Sequence, residues 1–288
     1  MFFSKSHDKS IIPHPHHGAN NNFKKFIILT YPRTGSHSLI FNLRNSGNVV
    51  GYGELFHSKN NFRTLYPDFN PGDRMASFRN RHPEKFLNYI FSQYEDSVSA
   101  VGFKINYNQH DSLKKANLIN LLNDNFDIKW IHLKRRNIFL SYISLKLMEL
   151  TNICFAIKPE FEDVFSKSTN KFIKLEQLKD YKPNITIIPD ELIKYIETIK
   201  INSDKFNTYL KDFTCLDLYY EDFEKDISET ISSVSLLLFN DICTIKSNKT
   251  DFDPIVKLNN FYPKSIIKNY KEIRKALNDN GYSHMIVE

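Results

Sequence analysis

A polar loop that directly follows an apolar run has the residue types of an anion-binding site. The apolar run is Phe26–Leu29, and the loop is Tyr31–Ser38. Within the loop, Arg33 supplies a fixed positive charge, and Gly35 permits backbone angles that other residues resist. Three hydroxyl donors accompany them, namely Thr34, Ser36 and Ser38. Together these side chains are suited to holding a phosphate-like group.

The elements on either side of the loop strengthen this interpretation. The apolar run contains two β-branched isoleucines and is typical of a buried strand. After the turn, Ser36–Leu43 has the pattern of an amphipathic helix. A helix that begins in such a loop points its free N–H groups and the positive end of its dipole at the loop. We therefore predict a strand, an anion-binding loop and a helix in that order.

Two common nucleotide-binding motifs are missing from the loop. The sequence contains neither G-x-x-x-x-G-K-[ST] nor G-x-G-x-x-G. A simple ATP-binding or dinucleotide-binding interpretation therefore loses its main support, although a phosphate-like ligand is still expected.

Three further segments, together with the loop, resemble a known family. Tyr31–Ser36 resembles the 5′-phosphosulfate loop of sulfotransferases that use 3′-phosphoadenosine 5′-phosphosulfate (PAPS). Arg136 and Ser144 lie eight residues apart at a predicted strand-to-helix junction and resemble the family's 3′-phosphate motif. Leu218–Phe223 resembles the late strand end of the family. The basic tail after residue 251, with its final helix, resembles the segment that closes over the adenosine end.

The resemblance implies a set of residues that bind PAPS as co-substrate. Arg33 would stabilise the leaving phosphate, and Arg136 with Ser144 would hold the 3′-phosphate, since an Arg fork grips phosphate oxygens in pairs. We expect the neighbouring Arg135 to face solvent. His37 and Ser38 depart from the residues found in many relatives. The implied PAPS-binding residues are Arg33, Thr34, Gly35, Ser36, His37, Ser38, Arg136 and Ser144.

The implied catalytic residues depend on the branch of the family. Arg33, Gly53–Phe56 and Gly102–Ile105 resemble the bacterial trehalose-type branch and its carbohydrate-acting relatives. Asn106 stands where the branch that acts on steroids and phenols carries a histidine base. The trehalose-type branch uses a glutamate instead, which corresponds to Glu54.

Three side chains share the implied chemistry. We expect Glu54 to accept the acceptor's proton, with a pKa raised towards neutrality near a buried anion. Lys104 would assist in stabilising charge, and His57 is the second candidate for the base. No metal is required.

The resemblance thus implies an enzyme that transfers a sulfuryl group from PAPS to a hydroxyl of a carbohydrate or glycolipid. Sulfuryl transfer, like phosphoryl transfer, requires alignment and stabilisation of charge on the oxygens. The alternatives are a nucleotide-dependent P-loop phosphotransferase and a non-catalytic nucleotide-binding relative. The acceptor would be a small molecule, a glycan or a glycolipid met at a membrane surface. We expect no nucleic-acid partner.

Predicted strands and helices alternate along the chain, which indicates an α/β fold with a mostly parallel central sheet flanked by helices. The resemblance to the family implies that this is the P-loop-like sulfotransferase fold. The chain has 288 residues, a net charge of +6 and 41% apolar residues. We predict a flexible tail over 1–22 and a single domain over 23–288. A helical acceptor-side insertion would occupy about 151–213, including a helix from Asp190 to Leu210. Further predicted elements are a helix over 83–96, a strand over Asp127–Leu133 and a final helix from Ile266 to Leu277.

Composition also bears on the compartment and on metal binding. The three cysteines form no CxxC pair, and no apolar run is long enough to span a bilayer. With no signal-peptide pattern at the N-terminus, we expect a cytoplasmic protein. The tail histidines lack carboxylate or thiolate companions, so we expect no metal site at His7, His14, His16 and His17.

Overall fold

A computed structural model describes residues 18–45, 48–57, 72–109, 118–159, 172–174, 176–177, 183–241, 255–256 and 263–287. The strands within these ranges are β1 (Lys24–Thr30), β2 (Val49–Glu54), β3 (Ala100–Asn106), β4 (Ile128–Lys134), β5 (Phe155–Ile157), β6 (Phe172–Lys174), β7 (Cys215–Tyr219) and β8 (Ile255–Val256). Five of them form a sheet in the order β2-β3-β1-β4-β7, and every pair in it is parallel. This confirms the predicted α/β class with a parallel central sheet.

Helices cover both faces of this sheet. In the described ranges they are α1 (Ser36–Arg44), α2 (Gly72–Arg81), α3 (Pro83–Ile90), α4 (Leu118–Asn125), α5 (Ile138–Thr151), α6 (Pro189–Leu210), α7 (Tyr220–Lys225), α8 (Ile227–Phe239), α9 (Pro263–Ile266) and α10 (Tyr270–Asp279). Short 3₁₀ turns occur at Tyr107–Gln109 and Ser283–Met285.

The two faces of β1 belong to two separate cores. Successive side chains of a strand point to opposite faces, so Ile27 and Leu29 lie in one core and Phe26 and Ile28 in the other. The first core includes the fully buried Trp130 and residues of α3, α4, α5, α6 and α10. The second core includes residues of α1 and α8. The apolar run at β1 is therefore buried on both sides, as parallel strands usually are.

Several predicted elements are found with shifted boundaries. The helix predicted to start at Asp190 begins at Pro189, where proline suits the first helical position. The helix predicted over 83–96 ends at Ile90. The final helix, predicted from Ile266 to Leu277, is divided between α9 and α10.

The region predicted as a helical insertion also contains strands. β5 and β6 pair in parallel, and β8 pairs antiparallel with β5, so that these three strands form a second sheet. Short strands without a clear alternation give little signal in a sequence, because pairing with distant segments stabilises them. The other regular element within the predicted insertion is the helix α6.

The chain joins the domain before residue 23, where the sequence predicted a tail over 1–22. Asn20 forms two backbone hydrogen bonds with Tyr94, of 3.0 and 2.9 Å, and its side-chain amide donates to the carbonyl of Val98 at 2.8 Å. The four tail histidines lie outside the described residues. In the described ranges, no helix is both long enough and apolar enough to cross a membrane.

The order of the strands determines where a ligand can bind. β1 is central, and the chain adds β2 and β3 on one side of it before it adds β4 and β7 on the other. In parallel α/β sheets, ligands bind outside the carboxyl ends of the strands, where the direction of strand addition reverses. The loop after β1 lies at this position.

A buried histidine connects strands β4 and β7 beneath this edge. His132 has only 1% of its surface exposed, and its Nδ1 lies 3.4 Å from Oδ1 of Asp217. Its Nε2 is hydrogen-bonded to the hydroxyl of Tyr107, and Lys134 Nζ lies 2.8 Å from the same Asp217 oxygen. Burial lowers the pKa of His132, so the imidazole stays neutral in the fold.

This burial makes the stability of the fold depend on pH. An unfolded histidine takes up a proton near pH 6.5, whereas the folded His132 resists it, so its contribution is complete above that pH and is lost as the pH falls. Between about pH 7.5 and 5.5 we expect this one group to cost up to about 1.4 kcal/mol of the free energy of unfolding. Urea unfolding at both pH values should show a smaller pH-dependent loss in His132→Gln than in the wild type. An unchanged slope would contradict the assignment, and His284→Gln, at an exposed histidine, is the matched control.

Candidate active site

The loop between β1 and α1 is held by its own backbone and hydroxyl groups. Thr34 is fully buried, and its hydroxyl is hydrogen-bonded to the hydroxyl of Thr30 and lies 3.0 Å from the carbonyl oxygen of Tyr31. Thr30 in turn donates to the carbonyl of Leu133 at 2.8 Å. The Thr34 hydroxyl, predicted to contact PAPS, is therefore used inside the loop.

Gly35 is required at the end of the loop for two independent reasons. It caps α1 with a φ of 76°, in the left-handed region that disfavours other residues. A Cβ atom at this position would lie 2.5 Å from Cδ2 of Tyr220, so the tyrosine ring lies directly against the glycine. Tyr220 belongs to the late motif that the sequence also singled out.

The start of α1 has the properties of an anion site. Among the described residues, no side chain caps its N-terminus, and its first turn carries no acidic residue. Ser36 is buried there, His37 and Ser38 are partly buried, and the His37 ring meets Phe155 edge to face. The backbone N–H groups and the dipole of α1 therefore favour a negative group in front of the loop.

The guanidinium of Arg33 reaches across to α5 and β5. Its Nε donates to Oγ of Ser144 at 2.8 Å, and its Nη2 donates to the carbonyl of Cys154 at 2.7 Å. Burial lowers the pKa of Arg33, although an arginine remains charged. The structure therefore brings together Arg33 and Ser144, which the sequence assigned to opposite ends of the cofactor.

Arg136 and Arg135 have exchanged the environments that the sequence predicted. Arg135, expected to face solvent, donates from Nη1 to the carbonyl of Arg33 at 3.0 Å and lies over the Tyr220 ring at 4.5 Å. The side chain of Arg136 is 51% exposed and pairs with Asp222. The expectation for Arg135 was wrong, because the carbonyl of Arg33 and the ring of Tyr220 hold its side chain against the loop.

Glu54 lies in a cluster of polar groups at the end of β2. It is 5% exposed, and its Oε1 is 3.0 Å from Lys104 Nζ, because Glu54 and Lys104 are register partners on neighbouring strands. Its Oε2 accepts a hydrogen bond of 2.7 Å from Gln109 Nε2 and lies 4.0 Å from His57 Nε2. Three of the four predicted catalytic residues, Glu54, Lys104 and His57, thus meet in one place.

The predicted direction of the Glu54 pKa was wrong. Burial raises the pKa of this carboxyl, but the charge of Lys104, assisted by His37 and His57, outweighs burial and lowers the pKa to about 2. The register of β2 against β3 places this cation beside Glu54, and a register between distant segments is not visible in the sequence. Glu54 is therefore ionised at neutral pH.

Lys104 connects the carboxylate to the anion-binding loop. Besides its ion pair with Glu54, its Nζ donates to Oγ of Ser36 at 3.2 Å, in the first turn of α1. A single buried cation therefore touches both the predicted base and the predicted cofactor loop.

Sequence reasoning missed Gln109 as a site residue. It is 3% exposed, and its Oε1 accepts from the backbone N–H of Asn106 at 3.1 Å while its amide donates to Glu54. Because the backbone N–H only donates and the carboxylate only accepts, both ends of the amide are fixed. The available signal was its position directly after β3, where the carboxyl end of a strand meets the site.

The described residues contain no group of three or more histidine, cysteine, aspartate or glutamate side chains that could hold a metal ion. The polar cluster at the site instead pairs its carboxylate with Lys104.

Solved structures that are similar to this chain include two sulfotransferases. No family model matches the chain, and neither does any curated protein. A sulfotransferase from Alicyclobacillus acidocaldarius is 12% identical with a TM-score of 0.45, covering 91% of this chain and 94% of its own. The mouse sulfotransferase SULT7A1, complexed with PAP, is 12% identical with a TM-score of 0.41, covering 93% and 83% respectively. Because both TM-scores lie below 0.5, we base no conclusion on these likenesses.

The ion pair between Lys104 and Glu54 should dominate the stability of this edge of the sheet. Lys104→Met leaves a buried carboxylate without its cation, and we expect it to lower the free energy of unfolding by about 3–5 kcal/mol. The double variant Lys104→Met with Glu54→Gln should recover part of the loss. Urea unfolding at neutral pH measures both, and Lys129→Met, at the exposed pair with Asp127, is the control with an expected loss below about 1 kcal/mol.

The same pair predicts a dependence on acid. The pKa of Glu54, about 2, lies below its ordinary value of 4.5, so its contribution is present above that value and is lost as the pH falls towards 2. A Lys104→Met protein that is no less stable than Lys129→Met would contradict this account.

Proposed function

We propose that this protein is a sulfotransferase that transfers a sulfuryl group from PAPS to a hydroxyl of a carbohydrate or glycolipid. One observation carries the proposal. Lys104 contacts both Ser36, at the uncapped start of α1, and the ionised Glu54, so that an anion site and a proton acceptor adjoin at the carboxyl edge of one sheet. In-line transfer needs these two functions on opposite sides of the transferring sulfur.

The residues around the loop fit an anionic nucleotide. The N–H groups at the start of α1 would hold the phosphosulfate end, with Ser36, His37 and Ser38 at its first turn. Arg33 would supply positive charge, and Arg136 with Ser144 would meet the 3′-phosphate. PAPS, when bound, supplies a sulfuryl group on a phosphate leaving group.

The carboxylate and the lysine divide the remaining work. Lys104 lies where it can stabilise charge on the transferring group, since it already donates to Ser36. Glu54 is ionised and would orient the acceptor hydroxyl and accept its proton as the new oxygen–sulfur bond forms and the bond to the leaving phosphate breaks. His57, 4.0 Å from the same carboxylate oxygen, is the second candidate for the proton. Arg33 and Lys104 provide the positive charge in this scheme, without a metal ion.

The residues at the ends of β2 and β3 support the assignment to the trehalose-type branch. Glu54 ends β2, and Asn106 ends β3 where another branch carries a histidine base. The buried polar groups that line this edge suit a hydroxyl-rich acceptor better than an apolar phenol. We assign the acceptor side to the insertion over 151–213 and place the reaction in the cytoplasm.

A transfer assay with radiolabelled PAPS tests the proposal. We expect the wild-type protein to label sugars or glycolipids in preference to tyrosine peptides. Glu54→Gln should slow transfer by roughly 10²–10⁴-fold, since a positioned base contributes about that much. Glu197→Gln, at an exposed helical carboxylate, is the matched control.

The pH dependence identifies the base. If Glu54 accepts the proton, the rate should not fall with acid until well below pH 4.5, because its pKa is about 2. If His57 accepts it, His57→Asn should abolish transfer, as Glu54→Gln would if Glu54 were the base. Full activity of Glu54→Gln would remove Glu54 from the mechanism, and the absence of transfer to every acceptor class would contradict the proposed function.

A further inference from the structure

Two neighbouring carboxylates occupy the hydrogen-bond donors at the start of α5. Glu221 accepts from the backbone N–H of Arg136 at 3.0 Å with one oxygen and from that of Asn137 at 3.1 Å with the other. Asp222 accepts from Nη1 and Nη2 of Arg136 at 2.7 and 2.8 Å. Both carboxylates lie in the first turn of α7.

This set of contacts is the one that a phosphate group makes. Backbone N–H groups at a helix start and a bidentate arginine fork are a common arrangement for phosphate oxygens. Here the protein's own carboxylates stand in for an anion. A phosphate that binds Arg136 end-on, through Nη1 and Nη2 together, must therefore displace Asp222.

The arginine is held in place independently of Asp222. Its guanidinium lies 4.1 Å from the centre of the Tyr219 ring, and its backbone N–H is fixed by Glu221. Stacking on an aromatic face favours one orientation of the planar group. Removing the Asp222 charge should therefore leave Arg136 in position with its fork available.

Replacing Asp222 by a phosphate at Arg136 also costs little free energy. The side chains of Arg136 and Asp222 are 51% and 59% exposed, and ion pairs in such positions contribute little in water. A dianionic phosphate offers more charge to the same fork than a carboxylate does. An incoming phosphate can therefore replace Asp222, at a modest penalty.

We infer that Asp222 is a specificity-determining residue, because it competes with the 3′-phosphate of the nucleotide for the guanidinium of Arg136. The inference rests on the proposed function, since it takes Arg136 as the ligand of the 3′-phosphate. Asp222 thus determines how much affinity a nucleotide gains from its 3′-phosphate. A nucleotide that lacks this group leaves the ion pair between Asp222 and Arg136 intact.

Calorimetric titration of the full chain with adenosine 3′,5′-bisphosphate and adenosine 5′-phosphate tests the inference. Asp222→Asn should tighten binding of the bisphosphate by roughly two- to fivefold and leave the monophosphate unchanged. In an Arg136→Gln background the same substitution should have no effect, because the contested fork is gone. Asp212→Asn, which removes an exposed charge in the turn after α6, is the matched control.

The outcomes separate the two claims. If the wild type binds the bisphosphate and Asp222→Asn leaves this binding unchanged or weakens it, the inference alone is overturned. Asp222 would then orient Arg136 or play no part in binding. If neither the wild type nor any variant bound the bisphosphate, the proposed function itself would fail. Asp222→Ala, compared by the same titration, guards against an effect specific to asparagine.

Discussion

The buried contact of Lys104 with Glu54 and Ser36 is the interaction on which this edge of the protein depends. It joins the paired strands β2 and β3 to the start of α1. A buried charge is tolerated only when a partner of opposite sign and further hydrogen bonds satisfy it. The strand register places the partner, and Gln109 supplies a further hydrogen bond to the carboxylate.

The far side of the anion-binding loop is supported by a second group of contacts. Tyr220 lies against Gly35, Arg135 lies over Tyr220, and Arg135 also holds the carbonyl of Arg33. The hydroxyl of Tyr31 donates to the carbonyl of Arg135 at 2.9 Å. These hydrogen bonds and ring contacts connect the carboxyl ends of β1, β4 and β7. A loop held in this way keeps its N–H groups oriented before a ligand arrives, which is the physical basis of preorganisation.

The sequence predicted the frame of the site better than its contacts. Apolar runs and a strand–glycine–helix pattern are local signals, so β1, α1, β4 and the late strand were found close to their actual positions. The partner of Arg33 could not be predicted in the same way, because Ser144 lies 111 residues away and Cys154 lies 121 away. The directions in which the side chains of Arg135 and Arg136 point depend on contacts with α7. The pKa of Glu54 depends on a cation from another strand. Such tertiary contacts override local propensity.

Competition between two nucleotides tests the central claim most directly. We propose that the site binds a 3′-phosphorylated adenine nucleotide, with its phosphosulfate end at α1. Calorimetry on the full chain should therefore show that adenosine 3′,5′-bisphosphate binds at least about tenfold more tightly than ATP with Mg²⁺, a difference of about 1.4 kcal/mol. Tighter binding of ATP with Mg²⁺ would contradict the account and favour a phosphotransferase.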